Sequence, residues 1–167
     1  MTSRRPPGEV GDPDRPRLLI VGLGNPLMGD DGIGQAVVER LQDCGPPGGV
    51  RVESLAGDVL GLADVWAGEQ DVWLVDAVDS GCPVGSLQVI DHRDLLVLPA
   101  EGLSTHHQSL GENLRWLLHG RPEMTAIRFR LYGIEIGAPR AVLGLSPVTE
   151  EAVNRLVVEL NAAIRYP

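Results

Sequence analysis

A continuous apolar run that ends on glycine and hands over to a helical repeat limits this chain to few folds. Residues 17–24, RLLIVGLG, show no polar alternation after Arg17, as expected of a short strand buried on both faces. Residues 33–41, IGQAVVERL, put Ile33, Val37, Val38 and Leu41 on one helical face. The helix must stop before GPPGG at 45–49, which cannot continue it. Between strand and helix lies a glycine-rich turn with two adjacent acids, Asp30 and Asp31.

The same alternation continues down the chain. VRVESL (50–55) is a second expected strand, followed by a helical stretch from about Asp58 to Ala67. VWLVDAV (72–78) is a third, apolar throughout except for Asp76, and SLQVIDH (86–92) a fourth after the turn signal DSGCPVG. STHHQSLGENLRWLL (104–118) has Leu110, Leu114, Leu117 and Leu118 at helical spacing, with Thr105 and Gln108 fitting a capping box. AIRFRLYGIEI (126–136) alternates and is expected as a strand with a possible extension of the sheet edge. Residues 146–164 form the last helix, Ser146 at its N-cap and Pro147 in the first turn. Strands alternating with helices imply one open, mostly parallel α/β sheet covered on both faces. Right-handed crossovers then bring the strands' carboxyl ends to one side, where such sheets place their sites.

The 167 residues suit one domain, and 43% apolar content with 22% charge suits a soluble one. With three Trp, two Tyr and one Phe, the core must come from Leu, Val, Ile and Ala. Residues 1–16, charged and rich in Pro and Gly, are expected as a flexible tail, and 17–167 as the domain. A net charge of −9 disfavours nucleic acid and anionic membranes as partners. No stretch has the length of a membrane span, the N-terminus has no secretory apolar core, and Cys44 and Cys82 stand in unrelated contexts. A cytoplasmic protein is the expectation.

Three places meet the carboxyl-end rule: the turn with Asn25, Asp30 and Asp31; Asp76 near the end of the third strand; and His106 with His107 at a helix start. Two carboxylates and an imidazole suit a borderline divalent ion such as nickel or zinc and leave coordination positions open. Asp31 serves equally well as the N-cap of the following helix, and Asn25 as a turn former. An acid inside a buried apolar strand, such as Asp76, must be paired, metal-bound or at the strand's mouth. His106 and His107 also suit the polar start of a helix, and His92 and His119 are expected at the surface. A dinucleotide cradle is disfavoured: Gly22 and Gly24 are in place, but Leu27 stands where the third glycine of GxGxxG belongs. Two acids at that helix start would also repel a pyrophosphate. The chain has no GxSxG and no HExxH.

GLGNPLMGDDGIG, with the DA of VWLVDAV, the STH of LSTHHQSL and GLSP before the final helix, resembles the nickel-iron hydrogenase maturation endopeptidases in order and spacing. The resemblance spans about Arg17 to Ala163. It implies a three-layer α/β/α fold and removal of a C-terminal peptide from the hydrogenase large-subunit precursor once nickel is in place. The family's metal-contacting acids and histidine then fall on Asp31, Asp76 and His106, which are the catalytic and metal-site expectations, with nickel carried by the substrate. Asp30 is expected to cap the helix or meet solvent. The turn after the second strand departs from the family, since SLAGD has Ala56 in the acid's place and Asp58 two residues on. Two other readings stay open: an escort that binds the nickel-loaded subunit without cutting it, and a peptidyl-tRNA hydrolase, whose opening IVGLGNP is shared but whose histidine window here reads GDDGIGQ.

Overall fold

The computed structural model describes residues 17–98, 110–138 and 141–165. Five strands form one sheet: β1 (Leu18–Gly24), β2 (Val50–Ala56), β3 (Asp71–Val78), β4 (Leu87–Asp91) and β5 (Arg128–Glu135), in the order β2-β1-β3-β5-β4. β1 pairs in parallel with β2 and β3, β3 pairs in parallel with β5, and β4 runs antiparallel to β5. The helices are α1 (Ile33–Asp43), α2 (Leu62–Val65), α3 (His92–Leu96), α4 (Leu110–Gly120) and α5 (Pro147–Arg165). None of the described helices is long and apolar enough to cross a membrane.

Two apolar layers flank the sheet, which gives the three-layer arrangement. On one face Ile20, Val75, Tyr132 and Ile134 pack with α1 and α5 through Val37, Leu41, Val153, Leu156 and Leu160. On the other, Leu19, Val21, Leu74 and Leu131 pack with α2, α3 and α4 through Leu62, Leu95, Leu114 and Leu117. The alternation of side chains along β1 sends Ile20 to one layer and Leu19 and Val21 to the other, so an unbroken apolar run is required. Truncating one of the fully buried leucines to alanine costs about 2–5 kcal/mol.

Helix α1 lies unusually close to the sheet. A Cβ on Gly22 would stand 2.1 Å from the carbonyl oxygen of Gly34, and one on Gly34 would stand 2.1 Å from that of Leu23. The two glycines let backbone meet backbone where strand and helix cross.

Three sequence expectations change. β5 is an interior strand, buried from Leu131 to Glu135, and the exposed edge is β4. The arginines that made β5 look half-exposed reach partners on its neighbours instead. Arg128 forms two hydrogen bonds with Asp71 (2.7 and 2.6 Å), and Arg130 one with Asp91 (2.9 Å). Nor do all carboxyl ends lie together, because β4 is reversed. Its connection from β3, residues 79–86, falls short of the about a dozen residues that a parallel crossover takes. The helix expected from Asp58 is shorter: a 3-10 turn (Val59–Gly61) leads into α2, with the Asp58 carboxylate accepting the Leu60 N–H at 2.8 Å.

Candidate active site

The site is built around the sheet's topological switch point. β2 lies on one side of β1 and β3 on the other, so the connections after β1 and β3 leave in opposite directions and open a crevice at their carboxyl ends. After Gly24 the chain makes a turn in which the Asn25 side chain accepts the Leu27 N–H at 3.0 Å and the Met28 N–H reaches the Asn25 carbonyl. A 3-10 turn (Gly29–Gly32) follows and leads directly into α1. Gly24 is required here: its φ is +116°, and a Cβ on it would stand 2.0 Å from the Asp31 carbonyl oxygen.

Asp31 is 3% exposed and makes no side-chain cap to α1. The N-cap position belongs to Gly32, and the Asp31 Oδ2 accepts the Asn25 backbone N–H at 2.9 Å. The acid is therefore folded back over the end of β1, and Asn25 orients it through its main chain. Asp30, expected to cap the helix or meet solvent, is half-buried and makes no cap to α1. Its Oδ1 accepts the Ser146 N–H at 2.6 Å, tying the turn to the start of α5, while the Gly29 N–H donates to the Val142 carbonyl at 2.8 Å.

Asp76 is 2% exposed, on the α4 face of β3 by strand alternation with Leu74 and Val78. Its Oδ1 accepts the N–H of Ala77 at 2.8 Å, its one hydrogen bond among the described residues. Burial pushes its pKa up to about 8; the Ala77 N–H opposes this, and the neighbouring Asp31 charge adds to it. Asp31 and Asp76 are thus brought into one electrostatic neighbourhood from opposite sides of the switch point. A strongly raised acid in a crevice marks a functional-site candidate on physical grounds.

His106 and His107 lie outside the described residues, as does the capping box at Thr105 and Gln108. Among the described residues no three His, Cys, Asp or Glu side chains are grouped as a metal site would need. The donor chemistry still fits a divalent cation, since two buried carboxylates with fixed orientation are the oxygen half of such a set. His92 is at the other end of the sheet, stacked on Phe129 and accepting its N–H at Nδ1, and His119 is exposed. Cys44 and Cys82 are free and exposed.

Two buried acids went unread in the sequence: Glu69, 1% exposed and paired with Arg51 at 2.6 Å, and Glu135. Glu135, at the end of β5, is 1% exposed and accepts from the Ser80 N–H (2.8 Å), the Ser80 hydroxyl (2.7 Å), the Gly81 N–H (2.9 Å) and Gln88 Nε2 (2.9 Å). The signal for Glu135 was the one that exposed Asp76: a charge inside an apolar strand end, YGIEI.

A comparison with protein-family models finds no match. Individual relatives are informative. A putative hydrogenase maturation protease of Methanocaldococcus jannaschii is 30% identical over 142 residues, covering 84% of this chain and 91% of the relative. The hydrogenase expression/formation protein HupD of Rhizobium leguminosarum bv. viciae is 32% identical, covering 95% of this chain and 82% of its own. Among solved structures, the NiFe hydrogenase maturation protease HybD from Thermococcus kodakarensis superposes with a TM-score of 0.76 at 25% identity, covering 89% of this chain and 99% of that one. Sequence likeness along nearly the whole domain and a shared fold, with the acids at its switch point, lead to one assignment: this chain belongs to the nickel-iron hydrogenase maturation protease family, whose members are endopeptidases.

Proposed function

We propose that this protein removes a C-terminal peptide from the nickel-loaded large-subunit precursor of a nickel-iron hydrogenase in the cytoplasm, and that Asp31, Asp76 and His106 contact the nickel carried by that substrate. The observation that supports this most directly is the pairing of two buried acids at the switch point, one with its pKa raised to about 8. Two carboxylates in a nearly dry crevice repel each other, and a proton on Asp76 relieves that repulsion. A divalent ion arriving with the substrate does the same job better, so Asp76 releases its proton as the ion binds.

The chain's own contribution is orientation. The Asn25 amide fixes Asp31 Oδ2 and the Ala77 amide fixes Asp76 Oδ1, so both carboxylates present set geometries to an incoming ion. In this reading His106 supplies the imidazole from the segment that leads into α4. The ion supplies Lewis acidity toward the scissile carbonyl or a water molecule. A carboxylate oxygen not engaged by the ion would alternatively serve as general base toward that water.

Incubation with the nickel-loaded precursor should release the C-terminal peptide, identified by mass spectrometry. Binding without release overturns the cleavage reading. Equal release from nickel-free precursor overturns recognition through the metal.

A further inference from the structure

The connection from β3 to β4 skips over β5, because β5 lies between those two strands in the sheet. Residues 79–86 must therefore cross the carboxyl end of β5. Glu135 sits beneath that crossing. Its carboxylate takes the Ser80 and Gly81 amides, the Ser80 hydroxyl and the Gln88 side chain, and its own N–H and carbonyl pair with the Ser86 carbonyl and the Gly85 N–H. Arg155 of α5 adds a bond to the Gly85 carbonyl at 3.1 Å.

The loop so held has a visible use. Val84 forms one wall of a cavity of about 370 Å3, faced by Val142, Leu143 and Leu145, with Gly29 and Asp30 of the site turn among its lining residues. The second wall is tied to the turn by the Asp30–Ser146 and Gly29–Val142 bonds. Leu143 is 81% exposed, and Val84 and Val142 are also open to solvent. Asp30 is the one charged residue in the lining among the described residues, and its carboxylate is engaged by Ser146. Apolar, with no Lys or Arg among its described lining residues, and continuous with the Asp30–Asp31 turn, the groove suits an uncharged, apolar segment of polypeptide.

We infer that Glu135 is a positioning residue: it fixes the 79–86 crossing so that Val84 walls a groove that receives an apolar segment of the polypeptide substrate beside Asp31. This rests on the peptide-cleaving role proposed above. A buried carboxylate satisfied by loop amides, with no Lys or Arg among its partners in the described residues, gives the loop one defined position.

Steady-state processing of the nickel-loaded precursor and amide hydrogen exchange test it together. Glu135→Ala should raise KM about tenfold with kcat held within about twofold, and should expose the Ser80 and Gly81 amides to exchange. Glu135→Gln keeps a carbonyl oxygen for those amides and should restore most of the KM and the protection. Val84→Asp, on the surface, should raise KM while leaving the Ser80 and Gly81 amides protected, and it serves equally if Glu135→Ala does not fold. Unchanged KM in Val84→Asp, or a fall confined to kcat in Glu135→Ala, overturns the inference. If the wild-type protein cleaves nothing, the proposed function fails instead. Exchange then still decides the clamp: unchanged protection in Glu135→Gln and Glu135→Ala alike removes it.

Discussion

Asp76 and Glu135 are both buried acids near the carboxyl ends of adjacent parallel strands, on the same face of the sheet, yet their surroundings differ in kind. Glu135 meets four donors from the crossing loop and β4. Among the described residues Asp76 meets a single amide, from the next residue in its own strand, and has a second acid for a neighbour. Burial alone does not separate a structural carboxylate from a functional one; the donors do. Where the fold satisfies the charge, the acid holds the chain in place. Where the fold leaves it short and adds another negative charge, the site is waiting for a cation or a proton.

The largest expected effect of that difference is on processing. Asp76→Ala should lower cleavage of the nickel-loaded precursor by more than about a thousandfold while circular dichroism stays native and thermal unfolding stays cooperative. Normal processing by this variant would erase the distinction drawn between the two acids. Glu135→Ala should do the reverse to stability, lowering the free energy of unfolding by about 2–3 kcal/mol in urea titrations, since it strips acceptors from several loop donors.

The pH dependence sharpens the contrast. Asp76 has its pKa raised from an ordinary 3.8 to about 8, so between those values the unfolded chain gives up a proton that the folded protein keeps. Its contribution therefore lowers stability progressively as pH rises from about 4 to about 8, and the loss levels off above that. Asp76→Asn should remove this slope, so its advantage in Tm over wild type should grow across that window. A constant difference between the two Tm curves would show that Asp76 is not titrating there. Nickel affinity of the wild-type protein should in turn rise with pH up to about 8, as the competing proton is lost.

The smallest effect concerns an uncharged counterpart on α4. Asn113 is buried and has no hydrogen-bond partner among the described residues. Asn113→Leu should raise stability by about 1 kcal/mol. If processing falls at the same time, Asn113 belongs with Asp76 in the reaction rather than in the core.

Much of this arrangement was legible in the sequence, for reasons that explain what was not. Unbroken apolar runs named β1 and β3, shorter β-prone stretches named β2 and β5, and helical spacing named the buried faces of α1 and α4. Asp31 and Asp76 stood out because each breaks a local pattern. Glu135 breaks its pattern just as plainly, but Arg128 and Arg130 made the whole strand look amphipathic and hid it. The Asp30–Ser146 bond joins residues 116 positions apart, and no local pattern carries such a contact. Reversal of β4 follows from the length of the loop before it, a constraint that composition and periodicity do not express.

Gly22 and Gly34 carry no functional group, yet they bear on any attempt to move this chemistry elsewhere. Because helix and strand touch backbone to backbone there, the turn bearing Asp30 and Asp31 begins and ends on a contact that no side chain can enter. A designer who grafted the two acids onto another α/β scaffold would carry over the reactive groups and lose their spacing. The portable unit is the acids together with the two glycines, and a substitution scan should find the glycines as intolerant as the acids they frame.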